Sequence, residues 1–433
     1  MKPTKHFIVI FIAILAMGCD SEKESLGQIT HSQDYETYLK TDHNEAVATA
    51  LNDYKFWEEK LQNNPTQFPY LVKAAAAQSV LFNQTGKISH LIKAEELLVM
   101  ANEATHYNNA GYLRALARNC ISQHKFKQAL MLLEKAENNR ERLKSSQKML
   151  FDVHLELGNT QEAKMYLDKI ENYNDFDFLI RLSKWNDHEG NLENAIFYLE
   201  KAKAMVELRK DKGLMLWTYT NLADYYGHAG KIQDAYAHYL KALALNPNDA
   251  YAKKGIAWIV YSHEKNANEA LRLLNTITKT YHAPDYYLLK AEIAEFKGDA
   301  SLMATHMAAY NKAVANELYG DMYNTYNILL YSEDKTQTAK ALKLAHKEIE
   351  NRPTPQSYDL LAWTYYKHGD PKNALYIAEK HVAGETYEPE TLFRLAEIYK
   401  ANGKAEDAAN LKDELLASTF ELGPLAAKKI KNI

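Results

Sequence analysis

Side chains that could carry out chemistry are few in this sequence, and their spacing matches no known type of active site. The 433 residues include two cysteines and 16 histidines. The histidines do not follow metal-ligand spacing, and the chain has no Gly-x-x-x-x-Gly-Lys phosphate loop, no His-Glu-x-x-His pair and no Gly-x-Ser-x-Gly elbow. Cys120 follows Ala117 by about one helical turn, so we interpret it as a small buried hydrophobic residue. The sequence therefore predicts no catalytic residue, no metal site, no cofactor and no enzymatic activity.

The other cysteine, Cys19, lies where the composition of the chain changes abruptly. Two of the first five residues are lysines, and Phe7–Met17 is apolar throughout. A helix that spans a bilayer needs about 20 apolar residues, so this shorter stretch indicates a secretory signal peptide over residues 1–18. The residues directly after Cys19 are acidic, polar or small.

The run Leu15-Ala16-Met17-Gly18-Cys19 resembles the lipobox of bacterial lipoproteins. The family usually has leucine three residues before the cysteine, where this chain has Ala16, and a small residue next, where it has Met17. The resemblance implies that Cys19 becomes the first residue of the mature chain and carries acyl chains, which attach the protein to a membrane. An ordinary secreted protein that is cleaved nearby is the alternative.

Residues 19–42 are expected to form an acidic, polar tether. Asp20–Gln33 has several charges and no apolar periodicity, which is typical of a segment without a packed core. Acidic residues directly after the cysteine resemble the surface-export signal of Bacteroidota lipoproteins, which implies a location at the outer membrane or the cell surface. In enteric bacteria, aspartate at this position is associated with retention in the inner membrane, so the periplasmic face of that membrane is the alternative.

The charge balance argues against a nucleic-acid partner. Lysine and arginine together number 52, and aspartate and glutamate 56, for a formal net charge of −4 at pH 7. The chain therefore lacks the basic footprint of a nucleic-acid-binding protein. Its 30 tyrosines and 5 tryptophans are instead ample material for an extended helical core.

An internal repeat organises most of the chain. The pattern Leu222-Ala223-x-x-Tyr226, followed by Gly230 and Ala235, returns from Leu361 and again from Leu395 with the same spacing. An alanine recurs at close to the ~34-residue period of a helical repeat: Ala94, Ala129, Ala163, Ala195, Ala235, Ala270, Ala304, Ala341, Ala374 and Ala408. These features resemble the tetratricopeptide repeat, in which two helices pack closely where their facing residues are small. The resemblance implies an all-α protein, namely a right-handed α-solenoid of about ten helix pairs.

The repeats are expected to cover residues 68–417. Ahead of them, residues 43–67 are predicted to form an N-terminal capping helix. After them, residues 418–433 are predicted to form a C-terminal capping helix or tail. The lysines near the end of this tail would interact favourably with the helix dipole.

The first helix of each pair lines the concave groove in this family, and its inward stripe begins one residue after the small packing residue. That rule predicts these partner-binding residues: Trp217, Asp224, Tyr251, Lys254, Trp258, Tyr261, Glu292, Glu295, Tyr323, Tyr326, Trp363, Tyr366, Phe393 and Glu397. Aromatic side chains on a groove act as rigid anchors for a peptide, and the acids select the charge of the partner. The alternative is that these rings fill the interfaces between repeats.

Two functions agree with these observations. The first is a membrane-anchored scaffold that binds a protein or peptide partner in the cell envelope through its groove. The second is a lipoprotein that binds a glycan or small ligand at the cell surface, similar to SusD-type proteins, which also carry these repeats. The regular array favours the first, because SusD-type proteins have fewer repeats and long irregular insertions.

Overall fold

The computed structural model describes residues 27–41 and 43–433, and these residues contain no strand. They form 24 α-helices, one turn of π-helix at Ile259–His263 and short 3-10 turns at Glu317–Tyr319 and Lys335–Gln337. In chain order the α-helices are α1 Ser32–Leu39, α2 Glu45–Asn63, α3 Pro69–Thr85, α4 Ile88–Ala104, α5 Ala110–Ser122, α6 Phe126–Asn138, α7 Leu143–Glu156, α8 Thr160–Lys169, α9 Phe176–His188, α10 Leu192–Arg209, α11 Lys212–His228, α12 Ile232–Leu245, α13 Ala250–Trp258, α14 Ala267–Ile277, α15 Asp285–Phe296, α16 Ala300–Val314, α17 Asn324–Glu333, α18 Thr338–Asn351, α19 Pro355–Lys367, α20 Pro371–His381, α21 Pro389–Ala401, α22 Ala405–Asn410, α23 Lys412–Ala417 and α24 Thr419–Ile430.

The predicted signal peptide, residues 1–18, and the predicted lipid-attachment residue, Cys19, lie outside the described residues. Within residues 27–41 and 43–433, no helix combines the length and the apolar character that crossing a bilayer requires.

Helices α3 to α22 form ten consecutive pairs, and most neighbouring pairs pack closely against each other. Between the α15/α16 and α17/α18 pairs the contact is made by long side chains, such as Tyr310 with Tyr323. The predicted fold class, an all-α solenoid of helix pairs, is confirmed. Nine of the ten repeat alanines are buried. They lie where two helices approach closely, and a larger side chain there would push the helices apart. A glycine with positive φ ends the first helix of many pairs, as at Gly230, where φ is 70°.

The exception among the repeat alanines is Ala304, which is exposed on α16. This helix instead buries His306 and Tyr310. Tyr310 is completely buried, and its hydroxyl donates to the side-chain oxygen of Asn327 on the next helix pair at 2.9 Å. A large ring therefore replaces the small residue as the packing element of this repeat, and the buried face of α16 is rotated relative to the prediction.

Successive turns of the solenoid touch each other. The amide of His282 donates to the carbonyl oxygen of Thr85 at 2.8 Å. The ring of Tyr387 lies on Gly190, where φ is 73° and an added Cβ would stand 2.6 Å from Cγ of that ring. In both contacts the two residues are separated by the same number of positions in the chain. We therefore interpret this separation as one full turn of the superhelix, with the edges of successive turns in contact.

The described part of the chain starts with a folded segment rather than a free tether. Residues 27–41, which we call the N-terminal segment, pack on α12 and α14. The backbone amides of Ile29 and Thr30 donate to one carboxylate oxygen of Glu264 at 2.9 and 2.6 Å. Tyr35 is buried, and its hydroxyl donates to Glu269 at 2.8 Å. The prediction of a polar tether over residues 19–42 is therefore wrong from Ile29 onwards, because these polar groups find partners on distant repeats.

Two further elements flank the repeats. Helix α2 packs along α3 at the N-terminal end of the array. At the other end, α24 is interrupted at Gly423, where φ is 79° and ψ is 167°. Beyond this break Ile430 is completely buried in a small cluster with Leu415 and Leu395. The last helix is thus fixed at one end by this cluster, and its first turn extends back towards α11 and the π-turn.

Candidate partner-binding groove

The first helices of three successive pairs form a cleft of about 450 Å³ on the inner side of the solenoid. Most of its lining residues come from α7, α9 and α11, and Leu199 of α10 also lines it. We call the surface formed by the following polar and aromatic residues the inner cleft: Asp152, Arg181, Lys184, Trp217, Asn221 and Tyr225. Positions 181 and 184, and positions 217, 221 and 225, repeat at helical spacing, so each helix presents one face to the cleft. The predicted groove residue Trp217 is 41 % exposed here, with its ring edge against Phe176.

Ion pairs between neighbouring helices organise the inner cleft. Arg181 contacts Asp152 at 2.6 Å, and Lys184 contacts Glu156 at 2.9 Å. Desolvation lowers the pKa of Lys184, but the nearby carboxylates of Glu156 and Asp152 outweigh it, so the pKa is raised. The Lys184 side chain is nevertheless 41 % exposed. Lys184 is thus partly desolvated, although its side chain still reaches water. A charge placed next to it would interact with it more strongly than in bulk water, because the effective dielectric constant near the protein is lower.

The rule used to predict groove residues also finds this cleft, although its charged members were not among the predicted residues. Asp152 follows Phe151, and Lys184 follows Ser183, in each case directly after the residue that packs between the two helices of the pair. The prediction concentrated on aromatic residues in the later repeats, and it therefore missed the cleft residues of the earlier repeats.

The next predicted residues form a hydrogen-bonded group on α11 and α13. Asp224 accepts hydrogen bonds from the hydroxyls of Tyr239 at 2.5 Å and Tyr251 at 2.7 Å. Burial raises the pKa of the Asp224 carboxyl, although these two donors lower it. Lys254 forms an ion pair with Asp285 at 3.2 Å. Tyr251 remains 49 % exposed, so its ring is accessible to a partner.

Trp258 and Glu292 face the C-terminal part of the chain. The indole nitrogen of Trp258 donates to the carbonyl oxygen of Phe420 at 3.1 Å. Glu292 accepts a hydrogen bond from Tyr261 at 3.0 Å, and Gly423 passes directly over Glu292 and Trp258. Burial raises the pKa of Glu292 to about 7. This part of the groove is therefore occupied by the protein's own chain, which the sequence did not predict.

Three of the predicted anchors are buried and cannot contact a partner as the groove stands. Tyr261 is completely buried within the π-turn, and Tyr323 packs against the ring of Tyr310. Trp363 is 9 % exposed and packs against Tyr366 with ring centroids 5.0 Å apart. For these rings, the prediction of accessible anchors is wrong, because they fill the interfaces between repeats.

The remaining predicted residues are partly or fully accessible. Tyr326 is 42 % exposed, and Glu295 is exposed. Phe393 is half-buried in the same cluster as Ile430. Glu397 is half-buried and raises the pKa of Tyr366, after the larger effect of burial. Together with Trp217 and Tyr251, Tyr326 places three accessible aromatic rings on first helices or their N-terminal ends.

The described residues contain neither a metal-binding cluster nor an exposed free thiol. Within residues 27–41 and 43–433, no group of three or more histidine, cysteine, aspartate or glutamate side chains could hold a metal ion. Cys120 is completely buried, and burial raises the pKa of its thiol to about 12. A thiol with this pKa is protonated at neutral pH, which agrees with its predicted role as a packing residue.

Comparisons with known proteins concern the repeats. Residues 228–293 match the family model for the tetratricopeptide repeat. No curated protein sequence matches the chain. A solved structure described as a human IFIT1 dimer with PPP-AAAA has 15% identity and a TM-score of 0.46, over 72% of this chain and 71% of that chain. YrrB, described as a tetratricopeptide-repeat protein with an unusual peptide-binding site, has 19% identity and a TM-score of 0.27, over 45% of this chain and 95% of that chain.

Proposed function

We propose that this chain, a tetratricopeptide-repeat protein, is a scaffold that is anchored to a bacterial envelope membrane and binds a protein segment in its groove. The observation that carries the proposal is the inner cleft. It combines an accessible tryptophan ring with organised ion pairs on one continuous surface built from successive first helices. Aromatic rings surrounded by charged groups are the usual composition of sites that bind protein segments tightly.

The inner cleft fits a polar peptide better than an apolar one. Its cations and acids are already paired with each other, as in the contact of Arg181 with Asp152. A partner with both basic and acidic side chains can replace one member of each ion pair, so that no buried charge is left without a partner. The ring of Trp217 then provides the apolar contact that fixes the position of the partner.

The anchor rests on the sequence around Cys19. With acylation at Cys19, the residues that lead to Ile29 would span at most about 35 Å. Ile29 is fixed to Glu264, so the face of the solenoid formed by α12 and α14 would lie close to the membrane surface. The acidic residues after Cys19 favour the outer membrane or the cell surface, and the periplasmic face of the inner membrane is the alternative.

The partner is tested by crosslinking and affinity capture from a detergent extract of the envelope. Wild-type protein is expected to capture a defined protein, and Trp217→Ala is expected to reduce that capture at least tenfold. Tyr376→Ala is the matched control, because this ring is 62 % exposed on the second helix α20. Equal capture by Trp217→Ala and wild type would contradict the proposal. Glycan binding that depends on Trp217, with no protein captured, would favour the SusD-like alternative.

The anchor is tested separately by metabolic labelling with a fatty acid. Wild type is expected to incorporate the label, and Cys19→Ser is expected to incorporate none. Equal labelling of the two proteins would remove the lipoprotein from the proposal. Protease treatment of intact cells then separates a surface location, where the chain is digested, from a periplasmic one, where it is protected.

A further inference from the structure

The C-terminal segment, residues Ser418–Pro424, lies in the groove between α11 and the π-turn at Ile259–His263. The carbonyl oxygen of Phe420 accepts two hydrogen bonds, one from the indole of Trp258 at 3.1 Å and one from the hydroxyl of Ser262 at 2.6 Å. A helix that only caps the array packs through apolar side chains, and it needs no hydrogen bond from the groove to its backbone. The groove therefore recognises the backbone of this segment, as a receptor recognises a peptide.

The ring of Phe420 lies on a site that is open only because the residue beneath it is glycine. Gly227 is buried in the last turn of α11, and a Cβ added there would stand 2.7 Å from the ring carbon Cε1 of Phe420. Glycine within a helix lowers stability relative to alanine, because its backbone loses more conformational freedom on folding. At Gly227 the missing side chain allows the ring of Phe420 to approach the helix closely.

The opposite wall of the site is also unusual. Ile259–His263 forms a turn of π-helix at the end of α13, and its buried residue Ser262 donates to Phe420. Turns of π-helix are rare, and they are frequently found at functional sites. Two independent deviations from regular helix, the glycine in α11 and the π-turn after α13, therefore meet on one residue of the C-terminal segment.

The site is larger than the segment that it holds. A cleft of about 210 Å³ remains beside Phe420, lined by Asp224, Gly227, His228, Tyr239 and Trp258 among others. Next to the ring, Glu421 lies 3.9 Å from the imidazole of His228. At Gly423 the backbone leaves the helical conformation and passes over Trp258 and Glu292. The occupant thus consists of an aromatic residue, an acidic residue and a glycine turn, with space for a longer ligand.

We propose that the C-terminal segment is an intramolecular ligand of a peptide site formed by Gly227, Trp258 and Ser262, and that a protein segment of the same chemistry displaces it. The intermolecular ligand is a segment with an aromatic residue followed by an acidic residue and a glycine turn. This inference rests on the proposed function, because it identifies a class of protein segment that the groove binds. The C-terminal segment then competes with the partner and sets the concentration at which the partner binds.

The test uses the full chain and a fluorescein-labelled peptide with the sequence STFELGPL, which is residues 418–425. In Phe420→Ala the ring site is empty, and this variant is expected to bind the peptide at least tenfold more tightly than wild type in fluorescence polarisation. The double variant Phe420→Ala with Gly227→Val, in which the added side chain fills the ring site, is expected to lose the binding. A peptide with alanine in place of phenylalanine is expected not to bind.

Equal peptide binding by wild type and Phe420→Ala, or binding that survives Gly227→Val, would overturn the inference. A second measurement covers the case that Phe420→Ala does not fold. Trp258→Phe with Ser262→Ala removes both donors and leaves Phe420 in place, and it is expected to increase hydrogen exchange in the C-terminal segment at least tenfold. Unchanged exchange would also overturn the inference.

The two proposals fail in different ways. Loss of envelope-partner capture in Trp217→Ala, together with a peptide that binds no variant, would leave the scaffold function and remove the intramolecular ligand. Peptide binding by Phe420→Ala, together with no captured envelope partner, would leave the peptide site and remove the scaffold function.

Discussion

The stability of the protein is expected to depend on pH through Glu292, and Glu292→Gln tests this. Burial raises the pKa of this carboxyl from 4.5 to about 7. The folded chain therefore keeps the proton on Glu292 over a pH range in which the unfolded chain has lost it. The free energy of unfolding falls as pH rises from about 4.5 to about 7, and it stays at the lower value above that range.

The size of the effect follows from the shift. Each pKa unit corresponds to about 1.36 kcal/mol, so the full shift corresponds to about 3.4 kcal/mol as an upper limit. The side chain of Glu292 is only half-buried, and solvent screening reduces this value to about 1–2 kcal/mol. Glutamine keeps an oxygen that can accept the hydrogen bond from Tyr261, but it carries no charge at any pH.

The assay is urea unfolding at pH 5 and pH 8, followed by circular dichroism. Between pH 5 and pH 8, the free energy of unfolding of wild type is expected to fall by about 1–2 kcal/mol more than that of Glu292→Gln. Glu193→Gln is the matched control, since this exposed residue of α10 is not among the groups that shift the Glu292 carboxyl, and its change is expected to stay within about 0.5 kcal/mol. The same pH dependence in Glu292→Gln and wild type would refute the reasoning.

Three further predictions test the fold. Gly190→Ala is expected to lower the free energy of unfolding by about 2–4 kcal/mol, because it combines a positive φ with a clash against a ring of the next turn. Gly403 has a similar φ of 75° but open space around it, so Gly403→Ala should lower the free energy of unfolding by only about 1 kcal/mol in chemical denaturation. Ala270→Leu is expected to cost about 1–3 kcal/mol in the same experiment, whereas Ala304→Leu on the exposed face should stay within about 0.5 kcal/mol. Glu264→Ala removes the acceptor of two backbone amides, and limited proteolysis should then cut the N-terminal segment at least tenfold faster, with unchanged cleavage contradicting the contact.

The helix pairs could be predicted because the signals that specify them are local. Ala235 and Gly230 lie within one repeat, so their spacing reports directly on two helices that pack together and on the turn between them. Ala304 shows the limit of this reasoning. Its spacing fits the repeat, but Tyr310 on the same helix buries far more apolar area, and burial of the ring determines which face of α16 points inward.

The occupied part of the groove could not be predicted in the same way. The contact of Phe420 with Gly227 depends on how far the superhelix advances in one full turn, which is the sum of small rotations between repeats. No residue pattern encodes that sum. The only local sign was Gly227 itself, because a glycine inside a helical pattern often marks a close approach by another part of the chain. The contact of Thr30 with Glu264 escaped prediction for the same reason.

The contact of Gly190 with Tyr387 and the hydrogen bond from His282 to Thr85 also have a mechanical consequence. A coil whose turns already touch cannot shorten, and it lengthens only after these contacts have separated. In a helical-repeat array whose repeats contact only their sequence neighbours, no contact holds one turn to the next. This array is held at one pitch, so a long partner must enter along the axis or first pull neighbouring turns apart.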